Sequence, residues 1–181
     1  MTINQLSNNE LEEDFLVCNA DYVIVRRLPS GNLSPQLDLS DIIRYHAESK
    51  KALNTVMTVA LVSVKREEAT RFGVARLEQV GKFSLVRGFV EKPKPDDVPQ
   101  KPWINAGVYV INGSFLLSHL DDFLPEQPGT NLEKTLLERL ASEKQSRLTA
   151  YLLNLAAWFD VGTLEQLVGA NIYIASLKGD E

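Results

Sequence analysis

Cysteine is nearly missing from this chain. Cys18 stands alone in 181 residues, so neither an intrachain disulfide nor a cysteine-built zinc site can form. Histidine is almost as scarce, and His46 and His119 lie too far apart in sequence to suggest a histidine metal cluster. Glycine is absent before Gly31, and with it any early glycine-rich loop whose bare backbone could cradle phosphates. No apolar run is long enough to span a bilayer, the longest being Thr55 to Val64. The opening Met1 to Asp14 is polar and acidic, unlike a secretory signal peptide. An excess of positive charge is also lacking: 19 Lys and Arg face 24 Asp and Glu, a net charge of −5. That balance argues against a nucleic-acid backbone as partner. It leaves room for a small anionic ligand met by a few placed lysines. The expectations are therefore a cytoplasmic protein with no nucleic-acid and no membrane partner.

What is present is ordinary for a globular protein, with 44% apolar and 24% charged residues. The length suits one sizeable core, so residues 1–181 are taken as one domain. Phe15 to Asn19 is a continuous apolar run ending at Asp21, the pattern of a strand buried on both faces. Tyr22 to Arg26 continues extended, and Pro29-Ser30-Gly31-Asn32 supplies a turn. Leu39, Ile42, Ile43 and His46 follow helical spacing with Ser40 placed to cap, predicting a helix over 40–53. Thr55 to Val64 and Ile104 to Ile111 read as buried strands, and Arg147 to Leu153 as another. Gly73 to Gln79 and Phe83 to Glu91 form a hairpin across Val80-Gly81-Lys82. Four prolines make Lys92 to Pro102 an extended loop. Helices are expected at 113–120, at 131–144 behind a capping box Thr130-x-x-Glu133, and from Thr163-x-x-Gln166 to about Leu177. Residues 1–13 suggest a helix fragment or a frayed lead-in.

Strands alternating with helices predict an α/β fold with a mixed, mostly parallel sheet flanked by helices and one small antiparallel hairpin excursion. In such sheets ligands bind beyond the carboxyl ends of strands. That directs attention to Asn19-Ala20-Asp21, Glu91-Lys92-Pro93, Asn105-Ala106-Gly107 and Asp160-Val161-Gly162-Thr163.

Seven segments, DFLVCNAD, LSDIIRYH, FGVARL, VRGFVEKP, INAGVYVI, TNLEKTLLERLA and WFDVGTLEQL, run in this order from Asp14 to Leu177. Together they resemble the sugar-1-phosphate nucleotidyltransferases, enzymes with a Rossmann-like sheet that join a sugar 1-phosphate to a nucleoside triphosphate and release pyrophosphate. The resemblance implies that Asp21 and Asp160 hold Mg²⁺, as hard oxygen ligands suit that ion. It implies that Lys92 binds the sugar phosphate, so that Asp21, Lys92 and Asp160 are the candidate catalytic residues. It places Glu91, Asn105, Gly107 and Glu133 against the sugar, and gives Gly73 a backbone that lies close to it. The partners implied are a nucleoside triphosphate and a sugar 1-phosphate, within a homo-oligomer or a pairing with a chain that carries the triphosphate loop. No general base is needed, because a phosphate monoester is already a nucleophile.

Three features depart from the family pattern. Asn19-Ala20-Asp21 stands where the family has Asn-Gly-Asp, the connection from Asp21 to Ser40 is longer than usual with Leu28 to Leu37 reading as an inserted turn, and the family's opening Gly-x-Gly-Thr-Arg-Leu loop is missing. The sheet is accordingly expected to be incomplete on its N-terminal side, and the chain to supply only the metal and sugar-phosphate half of the reaction. An inactive sugar-phosphate-binding or regulatory subunit is the alternative. A glycosyltransferase ranks last, since a second acid of the Asp-x-Asp kind is missing beside Asp21.

Simpler readings stand beside the functional ones. Asp21 and Asp160 each adjoin a turn, Lys92 precedes a proline-rich loop, Glu133 fits a capping box, and Asn105 could serve backbone groups. His46 reads as a helix-surface or boundary residue, and Cys18, Trp158 and Phe159 as core. Lys65 to Glu68 reads as a solvated charged stretch.

Overall fold

The strand Met57–Ser63 (β4) has a buried residue at nearly every position. Met57, Val59 and Leu61 enter one core cluster, and Ala60 and Val62 enter another. A strand that alternates apolar with apolar must be covered on both faces. The structure, a computed structural model, describes residues 13–27, 30, 32–34, 38–119 and 132–177. Preceding β4 are β1 (Asp14–Cys18), β2 (Tyr22–Arg27), β3 (Leu33–Ser34) and helix α1 (Ser40–Leu53). After it come α2 (Arg66–Ala69), β5 (Gly73–Val80), β6 (Phe83–Glu91), β7 (Trp103–Asn112) and α3 (Gly113–Ser118). The described chain ends with α4 (Leu132–Ser142), β8 (Leu148–Leu153), β9 (Leu155–Asp160) and α5 (Leu164–Leu177).

Six strands form the main sheet in the order β1-β7-β4-β8-β6-β5, and β3-β2-β9 form a small antiparallel sheet. On one face of the main sheet, Leu136, Leu137 and Leu140 of α4 and Phe115 of α3 pack on Val59, Val86 and Tyr109. On the other, Ile42 of α1, Ala69 of α2 and Trp158 of β9 pack on Ala60, Ile104 and Val108. No helix among the described residues is long and apolar enough to cross a membrane.

The α/β class and the flanking helices agree with the sequence reading, but the sheet is not mostly parallel. Among the described pairings only β4–β8 is parallel, from Met57↔Leu148 to Val62↔Leu153. The pairings of β1, β5 and β6, and both neighbours of β7, are antiparallel. Burial on both faces produces the same continuous apolar run in either direction, so the pattern encodes burial and not strand direction. Three elements went unread. The two-residue strand β3 follows the expected turn, the charged stretch at Lys65–Glu68 overlaps the one-turn helix α2, and β9 follows β8 after Asn154 by changing sheets. Residues 1–12, the Thr130 end of the proposed capping box and the ends of the 113–120 and 131–144 helices lie partly or wholly outside the described residues.

Several side chains correct the reading. Ser40 does not cap α1 but is its first residue; Leu39 stands at the N-cap without a side-chain hydrogen bond, and Asp38 Oδ1 accepts from the Ser40 backbone N–H at 3.0 Å and from Ser40 Oγ at 2.6 Å. Cys18 is exposed at the end of β1 and is not a core residue. His46 is fully buried, at 1% exposure, rather than at the boundary. Its Nδ1 lies 2.8 Å from Thr58 Oγ1, which lies 2.9 Å from Thr149 Oγ1. Its Nε2 faces Asp14 Oδ2 at 3.6 Å. Asp14 in turn accepts from Lys50 Nζ at 2.7 Å and from Asn112 Nδ2 at 2.8 Å. This network ties α1, β1, β4, β7 and β8 together.

Burial holds the His46 imidazole below its ordinary pKa of 6.5, with Asp14 opposing and Lys50 adding to the effect. Burial pushes Asp14 up, but the Lys50 and Asn112 hydrogen bonds and the nearby positive charge hold it below its ordinary 3.8. The folded state therefore keeps His46 neutral where the unfolded chain takes up a proton. Stability should fall as pH drops from about 6.5, because the unfolded state binds more protons there. The Asp14 contribution is present above about 4 and is lost only at lower pH. His46→Gln should flatten the slope of denaturation midpoint against pH between about 5 and 6.5. An unchanged slope would assign it to other groups.

Candidate active site

The site begins at the corner between β1 and β2. Asn19 N–H donates to the Gly107 carbonyl at 2.8 Å. Gly107 has φ +75, and a Cβ there would lie 2.2 Å from Tyr22 Cε2, so the Tyr22 ring rests on the bare α-carbon. Among the described non-glycine residues only Asn54 and Lys92 have positive φ. Ala20, standing in the family's glycine position, is therefore not strained in the left-handed region.

Pairing of β2 with β9 sets Tyr22 opposite Asp160, and Val161 N–H donates to the Asp21 carbonyl at 2.8 Å. The two candidate metal ligands thus come from the ends of neighbouring strands. Asp160 Oδ1 accepts from Gly162 N–H at 2.9 Å, which fixes the turn into α5. Thr163 and Gln166 form the expected capping box: Gln166 N–H donates to Thr163 Oγ1 at 3.3 Å, and Thr163 N–H to Gln166 Oε1 at 3.1 Å. Asp21 and Asp160 line a cleft of about 660 Å³ together with Arg71, Thr163 and Gln166. Among the described residues no cluster of three or more His, Cys, Asp or Glu could hold a metal. Two exposed or half-exposed carboxylates suit Mg²⁺, which takes one or two protein carboxylates and keeps other positions for water and phosphate.

A second cavity, of about 200 Å³, opens beside the first. Register pairs Gly73 with Glu91 at the mouth of the β5–β6 hairpin, and a Cβ on Gly73 would come within 3.0 Å of Glu91 Oε2. Gly73, Glu91 and Asn105 all line this cavity, so three of the predicted sugar-facing residues meet. Asn105 is held in place, its Oδ1 accepting from Gly107 N–H at 2.9 Å and its Nδ2 donating to Tyr109 Oη at 2.5 Å. Gly107 itself stands behind Tyr22. Lys92 directly follows Glu91 and is exposed, but does not line either cavity. Its φ is 44 and its N–H donates to the Phe72 carbonyl at 3.0 Å. A lysine held in the left-handed region carries strain of about 1–3 kcal/mol, and such positions cluster at functional sites. Glu133 belongs to α4, but its side chain is outside the described residues.

The remaining walls were not predicted. Tyr22, Phe72, Phe89 and Leu137 supply the apolar surface, and Glu138 a second carboxylate. Trp158 backs the two aromatic rings, 4.9 Å from Tyr22 and 5.7 Å from Phe72 between centroids. It packs partly buried against the core, as the sequence suggested. Tyr22 and Phe72 were findable as the neighbours of Asp21 and Gly73. Glu138 carries no sequence signal that separates it from a solvated helix glutamate. No described residue lines both cavities, but chain neighbours do: Asp21 and Arg71 line the carboxylate cleft, and Tyr22 and Phe72 the smaller cavity. A further hollow has Phe72 in common with the cavity and Arg71, Asp160 and Gln166 in common with the cleft.

Two carboxylates at strand ends thus stand beside a small, part-aromatic cavity. The chain belongs to the nucleotidyl transferase family, whose model matches residues 7–176. It is 31% identical over 157 residues to the glucose-1-phosphate adenylyltransferase of Desulfitobacterium hafniense, covering 86% of this chain and 36% of the relative. It is 30% identical to the enzyme of the same name from Bacillus subtilis, covering 84% of this chain and 36% of the relative. These relatives are sugar-1-phosphate nucleotidyltransferases, the group that the motifs resemble. A UTP-bound UGPase from Acinetobacter baumannii shares the fold with a TM-score of 0.64 at 21% identity, over 90% of this chain and 51% of that one. A UDP-glucose pyrophosphorylase complexed with UDP-glucose gives a TM-score of 0.61 at 22% identity, over 91% and 57%. The chain thus spans roughly a third of the length of these curated relatives and about half of the solved chains.

Proposed function

We propose that this chain carries the metal-binding and sugar-phosphate half of a sugar-1-phosphate nucleotidyltransferase. An oxygen of the sugar 1-phosphate attacks the α-phosphorus of a nucleoside triphosphate, the bond to the β-phosphate oxygen breaks, and pyrophosphate leaves with that electron pair. The observation that carries this reading is that consecutive residues, Asp21 with Tyr22 and Arg71 with Phe72, line the carboxylate cleft and the cavity of Gly73, Glu91 and Asn105 in turn. A phosphate attached to a sugar seated in one cavity reaches the mouth of the other.

The main demands of this chemistry are positioning and charge neutralisation. Asp21 and Asp160 would hold Mg²⁺, which when bound offsets the negative charge of the phosphates. Lys92 meets the sugar phosphate as a point charge, its backbone already turned by the positive φ. Glu91 and Asn105 orient the ring through its hydroxyls, Gly73 lets it approach, and Gly107 seats Tyr22 beneath it. By the same resemblance, Glu133 is assigned to the sugar hydroxyls. Arg71, in the carboxylate cleft, is placed to meet phosphate oxygens. The names of the relatives favour a glucose-type sugar. The protein acts in the cytoplasm as one domain, as a homo-oligomer or with a chain that supplies the triphosphate loop.

The test is pyrophosphate release with Mg²⁺, the four common triphosphates and a panel of sugar 1-phosphates, run beside calorimetric binding of the same sugar phosphates. Binding that Lys92→Ala weakens at least about tenfold supports the reading. Turnover in addition would make the residues present sufficient, whereas binding without turnover is the behaviour of an incomplete enzyme or a regulatory subunit. Protein that is folded yet binds no sugar phosphate would overturn it.

A further inference from the structure

The two edges of the main sheet are built differently. At β5 the free side is guarded: Arg76, Glu78 and Gln79 are exposed, and the register slips between Arg76 and Leu77. Exposed charges and a bulge are common defences of an open edge. Strand β1 has neither along most of its length. Its register with β7 runs unbroken from Asp14 to Cys18, and Phe15 to Cys18 contains no charge and no proline. Phe15 and Val17 pack on one core cluster and Leu16 on the other, yet all three stay partly exposed. That is the composition of an interior strand, but among the described strands β1 has one neighbour.

Pairing with β7 also settles which backbone groups are free. Gly113 N–H donates to the Glu13 carbonyl at 3.0 Å, and Asn19 N–H to the Gly107 carbonyl at 2.8 Å. The bonding direction alternates along an antiparallel strand, so residues 13, 15, 17 and 19 face β7. Asp14, Leu16 and Cys18 turn N–H and C=O to the outer side, where no described strand receives them.

We propose that the outer side of β1 pairs with β1 of a second copy of this chain, antiparallel and about a twofold axis at Leu16. This register sets Leu16 opposite the partner's Leu16, Phe15 opposite the partner's Val17, and Asp14 opposite the partner's Cys18. An aromatic then meets a β-branched residue, a favourable pair across antiparallel strands. No like charges face each other, and Asp14 is already offset by Lys50 Nζ at 2.7 Å. The three outward residues of each copy exchange about six hydrogen bonds. It is this match of β1 to itself that selects a second copy as the occupant. A twofold pairing covers both unguarded edges at once and leaves the guarded β5 outermost at each end, so assembly stops at two. The inference takes the homo-oligomer option of the proposed function and gives it a surface. It does not depend on the sugar-phosphate chemistry and is tested without ligand.

The experiment is sedimentation velocity of the intact chain over about 1–100 µM, for the wild type and for variants at the axis. Wild type is expected to be a dimer at the upper concentrations. Leu16→Lys and Leu16→Glu each set like charges face to face and should weaken the dimer at least about a hundredfold. Mixing the two should restore it, because opposite charges then meet, and a damaged fold could not be rescued in this way. Folded variants that stay dimeric alone, or stay monomeric when mixed, overturn the inference. Should either fail to fold, Leu16→Cys in a Cys18→Ser background decides. The facing α-carbons would lie about 5.5 Å apart, within reach of a disulfide. Oxidation is expected to link the copies there, and a chain that stays unlinked overturns the inference. Hydrogen exchange of the wild type separates the other occupants. A monomer whose Leu16 amide exchanges slowly would mean that another segment of the same chain covers the edge. A monomer with fast exchange there would leave the edge to a different chain. Either monomer overturns the inference and leaves the sugar-phosphate site untouched.

Discussion

Gly107→Ala is expected to destabilise the protein by about 2–4 kcal/mol and to abolish sugar-phosphate binding. Two costs combine at this position. An L-residue held in the left-handed region loses roughly 1–2 kcal/mol, and forcing a methyl group into occupied space costs about 1–3 kcal/mol more. The occupied space is the ring of Tyr22, 2.2 Å from the new Cβ, with Asn19 Cβ at 3.1 Å. Tyr22 cannot retreat freely, because Trp158 lies behind it at 4.9 Å. Gly81 provides the comparison, since it has φ +58 and a methyl group there would meet nothing within 4 Å. Gly81→Ala should therefore carry only the backbone cost, about 1–2 kcal/mol. Thermal denaturation of both variants decides the matter, with a fall of roughly 5–15 °C expected for Gly107→Ala. Equal losses would mean that the Tyr22 contact contributes nothing.

Neutralising either carboxylate proposed to hold the metal should have the second large effect. Asp160→Asn keeps the Oδ1 that accepts from Gly162 N–H, so the turn survives and only the charge is lost. Asp21→Asn sits at an exposed position whose backbone carbonyl, not its side chain, bonds Val161. Loss of an outer-shell partner costs a metal site about 10–100-fold in affinity, and loss of one of two ligands should cost at least as much. Titration with Mn²⁺ in the presence of a sugar 1-phosphate, followed by electron paramagnetic resonance, reads this without requiring turnover. Affinity unchanged in both variants would remove the metal from this cleft.

What was legible is which residues gather at the two cavities, where that follows from strand ends. Asp21, Gly73, Glu91, Asn105 and Asp160 all lie at or beside the boundaries of apolar runs, and loops at such boundaries gather ligand-binding groups. The 40–53 helix was legible from its spacing, but its inner face was not. Ile42, His46 and Ser49 point inward, while Ile43 is 49% exposed. The reason lies in other segments: β4 and β8 present Thr58 and Thr149 to that face, and their hydroxyls receive an imidazole and a serine. A polar core patch assembled from residues 46, 58 and 149 leaves no local trace. Strand direction failed for a similar reason, since it is decided by connections and not by the composition of any one strand. The place of Glu138 on the cavity wall was invisible because it depends on which side of α4 meets the hairpin.

The strand that joins the two halves of the main sheet is β8, set between β4 and β6. During synthesis it emerges long after both of its neighbours. Until Leu148–Leu153 leaves the ribosome, the one described sheet pairing that links the β4 side to the β6 side is the Val74↔Ile104 bridge between β5 and β7. For several seconds at ordinary elongation rates the nascent chain would thus display two open, apolar strand edges. Its folding is therefore completed from the C-terminal side, and chaperone holding of that interval should govern its yield in the cell more than the stability of the finished sheet does.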